Sequence, residues 1–509
     1  MMKLKITGLF FTAVMLFSGC SDKFLDLQDK QNLTESTFWA TRQHALQGIT
    51  ATYGALQGYD GDKWTFFEQV YVTLAFKGDD IDNNKNEPYG KNLAAFVNSA
   101  DESGPWSLWA TCYTGIGRAN QVIQKVPGIT VMTEQERKEI VGEAKFLRAY
   151  NYFVLVNGFE HVPLVLEFVK DLDKLQVPQA PVADVWAQIE KDLTEAEAVL
   201  PESYASEYKG RATKGAAKAL LAKTYLYQEK WAQAEAKFRE LHGKYALNAN
   251  YVDNFNGTKE NGPESIFEIQ WSGDRTVSDE RHPFNFEGRP YALDGWEVFY
   301  PSDWVVAELK KDKTDAGEYS DRVYGNIFFD DPKSTMWDLN VPASQIPYSS
   351  VASDLSRPAY YNKYAYPNDR SGSYVGYNIS LIRYADVLLM LAEAANENGK
   401  TDEAIGFVNE VRTRSHAKAL AVGSMTKDQL REQIRHHERP VELAMEFGIR
   451  WFDLVRWGRG NTAKQAIKTV LQNHGKPFSS NYVEDKHIRY PIPLKEINTN
   501  PLLKQNNLY

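Results

Sequence analysis

Two kinds of pattern alternate along the chain. From residue 133 onward, apolar positions recur three and four apart: Ile140, Val141, Ala144, Leu147, Tyr152 and Leu155 fall on one helical face. The run Thr133-Glu134-Gln135-Glu136 ahead of them is a capping box, in which a threonine hydroxyl and a later glutamate satisfy the free amides of a helix start. Asn157-Gly158 is the expected stop. A second helix is predicted from near Thr213 through Ala216, Ala219, Leu220 and Lys223 to Tyr227, with residues 231–241 as its antiparallel mate. In that pair Leu221, Ala222, Tyr225, Ala234 and Phe238 stand at tetratricopeptide spacing. Small alanines let the helices approach, and the aromatics fill the groove beside them. The spacing recurs in Leu391, Ala392, Ala395, Ala404, Val408 and Val411. Such hairpins cannot bury their faces alone and must stack on neighbours.

The helical period fails in two stretches. Residues 77–105 and 251–377 are rich in Gly, Pro, Asn, Asp and aromatics. Inside the second, residues 265–271 alternate like a short strand, and 303–311 read as one short helix. Long loops in a compact protein are functional or disordered, and these are aromatic and punctuated, which points to order and function. The expected fold class is therefore mainly α: a tetratricopeptide-like helical hairpin scaffold with long, irregular, aromatic-rich insertions. Its expected parts are a signal peptide (1–19), an N-terminal helical part (20–250) carrying the 77–105 loop, a ligand-face region (251–377) and a C-terminal helical part (378–509).

The N-terminus changes the setting. Lys3 and Lys5 precede an apolar run from Leu9 to Phe17, and Ser18-Gly19 end directly on Cys20. That is a secretory signal, too short to be a permanent span. Small residues ending on a cysteine mark a lipoprotein signal, with Phe17 standing where Leu is usual, and Cys20 is the expected lipidation site. The other cysteine, Cys112, lies in an apolar helical context and reads as a buried, inert thiol.

A net charge of −9 argues against nucleic acid, since no basic stripe exists to neutralise phosphates. No catalytic signature stands out. His436 and His437 are adjacent, so on a helix they point about 100° apart and cannot share a metal face. Gly115-Ile116-Gly117 lacks a third glycine, and no carboxylate pair is singled out for glycoside hydrolysis. The expectation is no enzyme and no cofactor. Asp80, Asp82 and Asn84 match the first ligand positions of a calcium loop, but Lys85 replaces the glycine and Lys91 the final glutamate. A polar loop is expected there, with structural calcium as the alternative.

Several segments resemble the SusD/RagB family. They are Phe24-Leu25-Asp26, Leu33 to Trp39, Arg118-Ala119-Asn120, Gly142 to Tyr150 and Val162-Pro163-Leu164, then Arg383 to Ala394, Glu438 to Ala444, Arg450 to Trp457 and Pro491-Ile492-Pro493. Pro440 departs from the arginine common there, and predicts a kink or restart of its helix. The resemblance implies a lipoprotein anchored on the outer face of the outer membrane. It would bind oligosaccharides, or in some relatives peptides, and lid a SusC-like TonB-dependent transporter. A free-standing adhesion lipoprotein is the other class. The motif charges Arg383, Asp386, Arg450, Asp453 and Arg456 are expected to fix packing rather than touch ligand.

Sugar rings stack their C–H faces on aromatics while Asn, Asp and Arg satisfy the hydroxyls. Two loop clusters hold that chemistry. One is Arg289, Tyr291, Asp294 and Trp296; the other is Asp82, Asn83 and Tyr89, beside Asn84. Trp296 is the first choice as a stacking platform. Trp106, Trp109, Trp451 and Trp457 lie in helical runs and are expected in the core.

Overall fold

The computed structural model describes residues 38–58, 65–84, 88, 90–169, 171, 174, 176–274, 282–339, 344–366 and 375–509. Its longer helices, labelled in chain order, are α1 (Arg42–Gly54), α2 (Ser103–Lys125), α3 (Glu134–Phe159), α4 (Val182–Val199) and α5 (Lys214–Tyr227), then α6 (Trp231–Arg239), α7 (Tyr384–Glu397), α8 (Thr401–Arg414) and α9 (Ile449–Arg459). From α2 to α8 each packs on the next in the series, so the helices form one continuous array. The two predicted hairpins are α5/α6 and α7/α8. Although residues 240–383 separate them in sequence, α6 lies directly on α7. Ala222, Ala234 and Phe238 are fully buried, as close helix approach requires. Every residue of α7 is buried, which suits a helix enclosed by neighbours on all sides.

The capping box at α3 is formed in both directions: Glu136 N–H donates to Thr133 Oγ1 at 3.2 Å, and Thr133 N–H to Glu136 Oε2 at 3.0 Å. The stop is later than expected. Asn157 turns its side chain back onto the Phe153 carbonyl at 2.7 Å, and the helix runs on through Gly158. There the missing side chain admits Tyr490, whose ring would meet a Cβ at 3.2 Å. The chain leaves the helix at Glu160, with φ of 70°. Pro440 sits in the first turn of a new short helix, Arg439–Leu443, directly after a π-type turn over Ile434–Glu438, so the helix restarts there.

The irregular stretch carries short strands that pair antiparallel in twos: β1 (Ile81–Asn83) with β3 (Phe299–Pro301), β2 (Ser265–Ile269) with β8 (Ile379–Arg383), β4 (Ile327–Phe329) with β7 (Ala359–Tyr361), and β5 (Thr335–Trp337) with β6 (Gln345–Pro347). The expected short helix is Asp303–Leu309. One apolar cluster runs from Ala45 to Leu503 and joins the three sequence regions in a common core. A smaller cluster of Leu293, Tyr300, Phe328, Met336, Tyr348, Tyr360 and Ala365 lies under the insertion.

Buried ion pairs lock the scaffold. Arg383 meets Glu264 (2.8 Å), Glu442 (2.6 Å) and Glu446 (2.7 Å). Asp386 accepts from Lys223 at 3.2 Å and Arg439 at 2.9 Å, so it and Arg383 pair with other elements and not with each other. Arg456 bridges Asp453 and Glu393, at 2.9 and 2.6 Å. His437 lies between Glu308 and Asp312. Against the cost of burial, their hydrogen bonds hold it up at about 9. His436 instead faces Gln465, and burial together with Arg450 pushes it down to about 3. Cys112 is buried, and burial alone pushes its thiol well up.

Candidate functional site

The two irregular stretches meet through β1 and β3. Their register sets Asp82 opposite Tyr300 and Asn83 opposite Phe299. Paired residues share a face of the ribbon, so Asp82 and Tyr300 are side-chain neighbours. The pairing continues past the strand ends. Asn84 N–H donates to the Val298 carbonyl at 3.0 Å, its side-chain amide to the Glu297 carbonyl at 2.8 Å, and Ser302 N–H to the Asp80 carbonyl at 3.0 Å. Two clusters read separately in the sequence are thus one neighbourhood.

Residues 288–298 form a compact loop on this ribbon. Its backbone is closed by Gly295 N–H to Pro290 O (2.9 Å), Trp296 N–H to Phe286 O (2.9 Å) and Val298 N–H to Glu287 O (2.8 Å). Position 295 has to be glycine: a Cβ there would lie 2.1 Å from the Arg289 carbonyl oxygen. Arg289, placed in the ligand set from sequence, is 1% exposed. Its guanidinium donates to the carbonyls of Leu293 and Trp337 from within the loop, and burial brings it down to about 10. The structure makes Arg289 a buried brace, with Nε and Nη2 on carbonyls and Nη1 buried without an acceptor among the described residues, where the sequence places it among exposed ligand contacts.

The outer side of the loop carries the other residues. Tyr291 is 57% exposed, on a short 3-10 turn that Asp294 ends with φ of 61°, a conformation aspartate tolerates. Trp296 is half-buried and stacked on Phe286, with centroids 5.3 Å apart and planes 16° from parallel. Asp82 and Asn83 are half-buried on β1. Burial raises the Asp82 carboxyl, with Lys476 and then Arg357 acting against it. Tyr89 and Cys20 lie outside the described residues.

Glu297 organises this surface, and sequence reasoning missed it. It is buried, with a left-handed φ of 47°. Its carboxylate accepts from Tyr291 N–H (2.9 Å), the Tyr300 hydroxyl (3.0 Å) and the Ser356 hydroxyl (3.0 Å). The only available signal was an acid beside the tryptophan in a glycine turn. Arg357 was missed too; its guanidinium lies 4.7 Å over the Tyr300 ring.

The calcium alternative meets a different arrangement. The Asp80 side chain is buried and accepts from Met445 N–H at 3.2 Å, while the Asn84 amide is used on Glu297. Among the described residues, no group of three or more His, Cys, Asp and Glu side chains is placed to hold a metal ion. Of the tryptophans assigned to the core, Trp109, Trp451 and Trp457 are buried. Trp106 is only half-buried, with Lys495 Nζ, from the short C-terminal helix Leu494–Thr499, 4.0 Å over its ring.

A family model described as SusD family matches residues 263–509, and one described as starch-binding associating with outer membrane matches residues 23–226. The chain belongs to the SusD/RagB family. SusD-like protein P2 of Formosa agariphila is 27% identical over 100% of this chain and 99% of its own. The fold agrees. A SusD superfamily protein from Bacteroides vulgatus superposes with a TM-score of 0.80 at 27% identity, covering 93% of this chain and 100% of that one. A laminarin-binding SusD-like protein gives 0.74 at 26% identity, covering 92% and 100%. The helical array is thus a SusD-like scaffold.

Proposed function

We propose that this SusD-like chain is a surface lipoprotein that captures oligosaccharides and passes them, uncleaved, to a SusC-like TonB-dependent transporter in the outer membrane. One observation carries the reading. The β1/β3 pairing sets Asp82 beside Tyr300 and ties Asn84 to the braced loop that carries Tyr291, Asp294 and Trp296, and that combination of aromatic faces and short polar groups suits sugar rings. The laminarin-binding relative and the starch-binding family description support the ligand class. Cys20 supports a lipid anchor; among the described residues no helix is long and apolar enough to cross a membrane. Binding without cleavage is supported by Glu297, whose oxygens are held by three donors.

The test is a glycan array bearing starch and laminarin oligosaccharides, probed with the full-length chain in detergent. Binding is expected, and Trp296→Ala should weaken it by about 1–3 kcal/mol with unchanged melting, the loss of one well-placed aromatic. Binding of peptides and of no glycan would overturn the ligand class. A transporter subunit should co-purify from solubilised membranes, and its repeated absence would overturn the delivery step.

A further inference from the structure

Two groups of opposite charge stand beside Tyr300 with hydrogen-bonding capacity left over. Arg357 is half-buried, and its guanidinium lies over the Tyr300 ring at 4.7 Å. Among the described residues no carboxylate or carbonyl takes a hydrogen bond from that guanidinium; only the Arg357 backbone N–H is engaged, to the Tyr360 hydroxyl at 3.0 Å. Asp82, opposite Tyr300 in the ribbon, has its Oδ1 buried with no hydrogen bond. The cation nearest that oxygen, Lys476 Nζ, is 4.0 Å away and donates instead to the carbonyls of Phe76 and Ile81. A buried acceptor without a donor is costly, and a guanidinium that presents five N–H groups is seldom left unused. Asp82 stands opposite Tyr300 across the ribbon and Arg357 lies over the same residue's ring, yet no ion pair joins them.

We propose that Arg357 and Asp82 form a donor–acceptor clamp for two adjacent hydroxyl groups of a neutral sugar ring. The inference rests on the glycan-binding reading and narrows its ligand class. A hydroxyl both donates and accepts, so one member of a vicinal diol can donate to Asp82 while its neighbour accepts from Arg357. The ring between them then lies over the Tyr300 side of the ribbon. An acidic sugar fits less well. Its carboxylate or sulfate would satisfy Arg357 but would sit among Asp82, Asp303 and the Glu297 carboxylate, of which Asp303 is exposed. Like charges at such range oppose binding. Arg357 is thus a specificity-determining residue that no sequence motif marks, and the chain should discriminate against uronic and sulfated glycans.

The experiment is calorimetric titration of the full-length chain in detergent. The probes are the neutral oligosaccharide that binds best on the array, its uronic-acid counterpart and its sulfated counterpart. Arg357→Gln and Asp82→Asn should each lower affinity for the neutral probe roughly ten- to a hundredfold, the range for a hydrogen bond to a charged group. The double variant should lose less than the product of the two, because one diol couples them. Affinity for the neutral probe should be nearly independent of salt. Arg357 holds no structural hydrogen bond through its side chain, so Arg357→Gln should lose only its contact with the Tyr300 ring, melt slightly below the parent and stay folded. If the neutral probe binds and Trp296→Ala weakens it, but both clamp variants bind like the parent, the clamp is wrong and the glycan reading stands. Tighter binding of the uronic or sulfated probe than of the neutral one overturns the clamp as well. Absence of binding to any glycan overturns both readings together.

Discussion

Replacing Glu297 with alanine should loosen the ligand surface while leaving the scaffold folded. The side chain accepts from the Tyr291 amide at 2.9 Å and from the buried Tyr300 hydroxyl at 3.0 Å. Ser356 loses little, since its hydroxyl also meets the Tyr360 hydroxyl at 2.9 Å and is near solvent. Loss of the Tyr300 hydroxyl's bond to a carboxylate costs about 1.5–3 kcal/mol, with Ser356 left as its neighbour, and loss of the partly exposed amide bond about 0.5–1.5 kcal/mol. The loop should therefore lose about 2–4 kcal/mol of local stability. Hydrogen exchange at the Tyr291 amide reads this directly, because that proton is held by the Glu297 carboxylate. Protection at Tyr291 should fall by about ten- to a hundredfold or more, while amides of α7 keep theirs. Glu297→Gln retains one acceptor oxygen and should fall between the two. Unchanged Tyr291 protection in Glu297→Ala would refute the role given to this carboxylate.

Three further outcomes follow from the same physics. Cys20→Ala should release the protein from membranes of cells lacking the transporter, as fractionation would show; retention there would count against the lipid anchor. Arg383→Met should strand Glu264, Glu442 and Glu446 with too little positive charge and destabilise by about 3–5 kcal/mol, seen as a lower melting temperature or loss of folded protein. Burial, and then the charge of Asp79, raises the Asp80 carboxyl to about 6. A raised carboxyl gives stability that is present at low pH and lost as pH climbs through about 6. Asp80→Asn, which cannot ionise, should therefore gain on the parent by about 2 kcal/mol between pH 4.5 and pH 7.5. A pH-independent difference in unfolding free energy would exclude that linkage.

The scaffold was legible because its signals are local and redundant. Thr133 with Glu136 announces a helix start, and the alanines of the two hairpins announce close packing. Each cue depends on residues within a turn or two of one another, which is the range over which helical spacing works. The late end of α3 was not legible, since Gly158 reads as a stop until Tyr490 is known to need the space. The site was half legible. Composition marked both loops, but their meeting depends on β1 pairing with β3 across more than two hundred residues, and strands of three residues carry almost no periodic signal. Arg289 and Glu297 show the cost of that blindness. In a sugar-like loop an arginine reads as a ligand contact and a glutamate as background. Only the folded loop of 288–298 shows that the arginine faces the Leu293 and Trp337 carbonyls and that the glutamate holds the surface together.

The charged motifs that carry the family resemblance bear on binding by a different route. Asp79 and Asp80 stand at the base of β1, and the C-terminal part of the chain holds them. Arg450 pairs with Asp79 at 2.5 and 2.8 Å, Met445 N–H meets Asp80, and Lys476 donates to the Ile81 carbonyl. Against the cost of burial, Arg450 and His474 keep Asp79 well below the usual carboxylate range, so this anchor stays charged. The strand that presents Asp82 and Asn83 is thus fixed by residues far from it in sequence. A change at Arg450 would reach the ligand through the position of β1, and would lower affinity without removing any group that touches sugar. Motif residues of the scaffold thus set the position of the candidate residues on β1, which lie in a stretch where sequence pattern is weak.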